Sequence, residues 1–141
     1  MLSWKLCRRN FEKEVYVAGA SVSKFRFLGT HDKITDEICD GALLIALDIP
    51  DIKRLDSVNL EKFNEVIRID HHPDIDDFAT YKLVDIDASS ASELVARWCY
   101  ACNLQMPKTA AENIFVGIIA DTNRLLFGAN KPETYHILLK L

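Results

Sequence analysis

Continuous apolarity, more than alternation, marks the strands of this chain. Residues 42–48, ALLIALD, run apolar up to a closing aspartate, and residues 65–70, EVIRID, do the same over a shorter span. YKLVD (81–85) reads as a further strand, and so does EVYVAG (14–19), rich in β-branched and aromatic residues. Uninterrupted apolar runs imply burial on both faces, the habit of parallel sheets. Helical patterns alternate with these runs. LSWKLCRRNF (2–11) turns Leu2 and Leu6, with Trp4 and Phe11, toward one side. SASELVARWCYACN (90–103) opens on Ser90 with Glu93 three residues on, the spacing of a capping box. TAAENIFVGIIAD (109–121) repeats that spacing with Thr109 and Glu112. NKPETYHILLKL (130–141) offers Asn130 as N-cap, Pro132 in the first turn and Glu133 after it. Short strands between helices predict an α/β fold with a mostly parallel sheet and helices on both faces. No internal repeat or linker divides the chain, so residues 1–141 read as a single domain.

Composition narrows the function classes. With 49% hydrophobic residues the 141-residue chain has material for one core. A net charge of −4 removes the basic footprint of a bulk nucleic-acid binder, so phosphate chemistry would need local cations or metal. No apolar run is long enough to span a membrane, and residues 1–14 lack the apolar core of a secretory signal. Cys99 and Cys102 form a Cys-x-x-Cys pair, but it has no second pair and falls inside a predicted helix. These read as core and surface thiols in a reducing, cytoplasmic compartment.

The ends of the apolar runs carry the chemistry. Asp48 closes one strand; Asp70 closes the next, with His71 and His72 directly behind it. Ligands of open parallel sheets bind beyond the carboxyl ends of the strands, so these groups should converge if the two strands are neighbours. Carboxylates crowded at such an edge repel, and a divalent cation relieves both the repulsion and the poor solvation. A mixed carboxylate and imidazole set suits Mn²⁺, Fe²⁺, Zn²⁺ or Co²⁺ better than Ca²⁺. Asp121 ends the apolar helix run IFVGIIA and offers a further carboxylate. Read singly, each acid serves equally well as a turn or helix cap. It is the combination that points to a site.

At these residues the chain resembles the DHH phosphoesterase superfamily. LLIALDIPDIKRL, IRIDHHPD, LVDIDASSASELV and VGIIADTNRLLFG resemble four of its segments in the family's order. The likeness is to the branch of bacterial oligoribonucleases that also dephosphorylate 3′-phosphoadenosine 5′-phosphate. It implies a hydrolase acting on short RNA or DNA oligonucleotides or nucleotide phosphates with two metals, usually manganese. By that likeness Asp48, His71 and Asp121 are metal ligands, Asp70 supports the site, and His72, with Arg124, faces the scissile phosphate. Ser89, Ser90 and Asn123 stand where substrate would bind, although the serines read equally well as helix caps and Arg124 as the partner of a surface carboxylate. Asn123 replaces a glycine common among relatives. A homodimer is compatible with the likeness.

The family's first strand and its His-x-x-x-Asp-x-Asp motif have no counterpart here, nor does its C-terminal substrate domain. The expectation is therefore a partial DHH-type catalytic domain with at most one strong Mn²⁺ site and weak or absent activity on its own. A non-catalytic module that binds a nucleotide or a protein partner is the competing class. Within the enzymes, pyrophosphatase, single-strand exonuclease and cyclic-dinucleotide phosphodiesterase share the same metal motifs.

Overall fold

The structure is a computed structural model, and it describes residues 4–19, 23–55, 58–128 and 131–141. Three strands, β1 (Leu43–Leu47), β2 (Glu65–Asp70) and β3 (Tyr81–Val84), form a parallel sheet in the order β1-β2-β3. Ile45 pairs with Ile67, and Ile67 with Tyr81. Side chains alternate across a strand, so Ile45, Leu47, Ile67, Ile69 and Leu83 share one face. Helix α3 (Ala91–Ala101) packs on β2, and α4 (Lys108–Asp121) and α5 (Pro132–Lys140) pack on α3. The main core joins Ile69 to Leu94, Val95, Ile114, Ile118 and Ile137. A smaller cluster joins Leu6 of helix α1 (Trp4–Asn10) to Cys99 and Ala110. This is an α/β fold, as the apolar runs predict. Among the described residues no helix is long and apolar enough to cross a membrane.

Three local expectations are corrected. EVYVAG at 14–19 is not a strand. It pairs with a loop instead, Val17 accepting from the Asp32 amide at 2.8 Å and donating its own amide to the Asp32 carboxylate at 2.8 Å. Apolar β-branched residues suffice for a strand only when a sheet edge is there to pair with. Helix α4 begins at Lys108 behind Pro107, so Thr109 lies inside the first turn and caps nothing. At α3, Ser90 does cap, its Oγ accepting from the Glu93 amide at 3.1 Å, but Glu93 reaches past it. Its carboxylate takes the Ser89 amide (3.2 Å), the Ser89 hydroxyl (2.7 Å) and the Thr134 hydroxyl (2.7 Å), and so ties α3 to α5. Asn130 lies outside the described residues; Lys131 is the N-cap of α5, with Pro132 in its first turn. A short helix α2 (Asp36–Cys39), not foreseen in the sequence, leads into β1.

Cys99 is buried and Cys102 exposed, and both thiols are free. Burial, reinforced by Cys102, pushes the Cys99 thiol above its usual range, away from the thiolate that metal or redox chemistry needs.

Candidate metal and phosphate site

β1 and β2 are adjacent and parallel, so their carboxyl ends share one edge, and the acids meet there. The Asp48 amide extends the ladder by donating to Ile69 O at 3.0 Å. Beyond it the chain turns sharply, with Asp48 at φ 61°, a left-handed conformation that aspartate tolerates better than most residues. That turn holds its carboxylate at the edge. His71 follows β2 directly. Its Nε2 lies 3.4 Å from Asp48 Oδ1 and 3.1 Å from Asp121 Oδ2, the latter carried in by the last residue of α4. His72 Nδ1 lies 2.8 Å from Asp70 Oδ1 and 3.6 Å from Asp48 Oδ1. All five residues singled out at the strand and helix ends are thus brought together.

The ligand atoms of Asp48, His71 and His72 lie within 4.8 Å of one another. Two carboxylates flank a single imidazole nitrogen. Hydrogen bonds from His71 to Asp121 and then to Asp48, against an opposing burial effect, raise the His71 pKa to about 10. A proton on His71 therefore supplies the positive charge that the two carboxylates require. Metal binding needs the same nitrogen deprotonated, so proton and metal compete for one position. This donor set fits a divalent transition metal: imidazole and carboxylates at one point, with no thiolate. His72 differs, because Asp70 already occupies its Nδ1. Its other nitrogen can donate to a phosphate oxygen only when the ring carries a hydrogen on both nitrogens, since Asp70 takes the Nδ1 hydrogen.

Asp70 is fully buried. Its Oδ1 accepts from the His71 amide (2.8 Å) and the His72 amide (3.2 Å) as well as facing His72 Nδ1. Its Oδ2 accepts from Arg68 Nη2 (2.6 Å) and Nε (3.2 Å). Burial alone would push this carboxyl up, but the bonds from Arg68 and His72 outweigh it and hold it below the usual range.

The other expected residues stand differently. Ser89 and Ser90 are buried in the α3 capping network with Glu93. Asn123 and Arg124 are exposed, in a turn just past Asp121 where residues 123, 124 and 125 all have positive φ (47°, 64° and 65°). Buried Thr122 secures that turn: its hydroxyl donates to Ile118 O at 2.6 Å and accepts from the Leu125 amide at 3.0 Å. Arg68 was not foreseen. The available signal was a charged residue two positions before Asp70 in an apolar strand, which places both on one face.

No family model matches the chain. A solved exopolyphosphatase-related protein of Bacteroides fragilis superposes with a TM-score of 0.67 at 29% identity, over 74% of this chain and 33% of that one. With its α/β sheet and its ordered Asp, Asp-His-His and Asp motifs, the chain is similar to the DHH phosphoesterases. Several of its curated relatives are hydrolases by name. It is 34% identical to the probable bifunctional oligoribonuclease and PAP phosphatase NrnA of Streptococcus mutans, over 92% of this chain and 42% of that protein. It is 32% identical to the bifunctional oligoribonuclease and PAP phosphatase NrnA of Bacillus subtilis, over 87% of this chain and 40% of that protein. The chain thus spans about two fifths of the length of these relatives.

Proposed function

We propose that this chain is the metal-binding part of a phosphoesterase that hydrolyses short oligonucleotides or nucleotide phosphates. The observation that carries the reading is the meeting of Asp48, His71 and Asp121 around one imidazole nitrogen. These three residues would hold a divalent ion, with Mn²⁺ the expected one. A bound ion of this kind polarises a phosphate oxygen and lowers the pKa of water. His72, oriented by Asp70, would donate to a phosphate oxygen as charge builds there. Arg124 and Asn123, on the turn behind Asp121, would meet a further phosphate oxygen. Ser89 would reach substrate only by giving up its bond to Glu93. The names of the relatives support the substrate class, and the free thiols fit a cytoplasmic setting.

Among the described residues one group of ligand atoms lies close enough together to share an ion, that of Asp48, His71 and His72, which also favours a second reading: a module that binds a nucleotide with little turnover. Calorimetric titration with Mn²⁺ tests the site, and release of nucleotide monophosphate from a short RNA tests turnover. One strong site per chain is expected, with slow hydrolysis that Asp48→Asn abolishes. Two strong sites would sink the one-ion reading. Hydrolysis indifferent to Asp48→Asn would sink the assignment of the site. One strong site without turnover would favour the binding module.

A further inference from the structure

We propose that Arg68 is a positioning residue of the site, acting from inside the sheet on both strand-end loops that carry it. This rests on the metal reading above. Arg68 is fully buried in β2, and its guanidinium divides its bonds in two directions. Nε and Nη2 grip Asp70 Oδ2, and the other Asp70 oxygen receives both histidine amides and the His72 ring. Nη1 reaches the loop beyond the histidines, donating to the Asp74 carboxylate at 2.8 Å and to Asp76 O at 3.2 Å. From there the chain of contacts crosses to the neighbouring strand end, because the Asp76 carboxylate accepts from the Ile52 amide at 2.9 Å. Ile52 opens the short turn Ile52–Arg54, four residues beyond Asp48. One side chain therefore braces the loop holding His71 and His72 and, through Asp76, the loop holding Asp48.

Packing alone does not account for an arginine here. Burying an ion pair costs desolvation that its attraction barely offsets, and apolar residues of similar volume commonly serve stability as well or better. What an apolar residue lacks is the planar fork that sets two oxygens at fixed angles. The Phe78 ring, 5.6 Å from the guanidinium carbon, is placed to hold that fork in its plane.

The test compares wild type, Arg68→Lys and Asp76→Ala as full chains. Amide exchange by NMR is followed in metal-free protein, and Mn²⁺ affinity by calorimetry. Arg68→Lys keeps the charge and loses the fork. It is expected to speed exchange at His71, His72 and Ile52 while leaving the amides of β1 unchanged, and to weaken Mn²⁺ binding about 10–100-fold, the usual effect of losing a partner behind a metal ligand. Asp76→Ala should speed Ile52 alone and weaken Mn²⁺ by a smaller factor. Arg68→Lys with wild-type exchange and affinity overturns the proposal, as does uniformly faster exchange throughout the sheet, which marks a general stabiliser. If Arg68→Lys does not fold, Asp76→Ala decides: unchanged Ile52 exchange and Mn²⁺ affinity overturn it. A wild-type protein that takes up no Mn²⁺ defeats the metal reading, and the exchange pattern then judges Arg68 by itself.

Discussion

His71 favours a proton at the nitrogen that the proposed metal would take. With its pKa raised to about 10 by Asp121 and Asp48, it is an imidazolium at neutral pH in the metal-free protein. A folded pKa above the unfolded value of about 6.5 stabilises the fold fully below pH ~6.5, and that stabilisation is lost as pH rises through about 10. Thermal melts of metal-free protein should therefore show falling stability from pH 7 to pH 10, and His71→Ala should flatten that fall. The same proton must leave when metal enters. At pH 8, calorimetry in buffers of different ionisation enthalpy should report about one proton released per ion bound, and affinity should rise with pH. Metal uptake without proton release would contradict this assignment of His71. At this scale the aspartates and histidines were legible because acids and imidazoles at the ends of apolar runs need a partner. Arg68 was not, because a lone arginine in a strand looks the same in sequence whether it faces solvent or a buried carboxylate.

Among the helices, α3 is the one most tied to its surroundings. Ser90 caps it, and buried Glu93 collects Ser89 and Thr134 from its own approach and from α5. Ser90→Ala should lower unfolding free energy by about 0.5–2 kcal/mol in urea titrations. Thr134→Val leaves the Glu93 carboxylate one donor short in a buried setting and should cost about 1–3 kcal/mol by the same measurement. A change within error in both variants would mean that solvent reaches Glu93 freely. Strand and helix existence followed closely from apolar period, as β1, β2, β3, α3, α4 and α5 show. Capping detail did not. The Ser90–Glu93 and Thr109–Glu112 spacings are the same, yet only Ser90 caps, because Pro107 starts α4 two residues ahead of Thr109. The 14–19 segment has strand composition and, among the described residues, no strand neighbour.

For the whole molecule, the proposed ligands arrive from three separate elements, so only the folded chain presents them together. A metal that binds the native state and ignores the unfolded one must stabilise the fold. Mn²⁺ at a hundred times its dissociation constant should raise unfolding free energy by about 2.7 kcal/mol. Chemical denaturation with and without Mn²⁺ measures this, and a metal-independent midpoint would show that the cluster does not bind as a unit. The sequence by itself determined the α/β class, the strand-end positions of Asp48 and Asp70 and the kind of chemistry their neighbours suggest, because periodicity and local charge are written in nearest neighbours. Only the tertiary structure decided that β1 and β2 are adjacent and parallel, that the end of α4 brings Asp121 to within 3.1 Å of His71, and that Arg68 lies beneath Asp70. Those contacts depend on which apolar faces pack together, and residues far apart in the chain carry no local record of that choice.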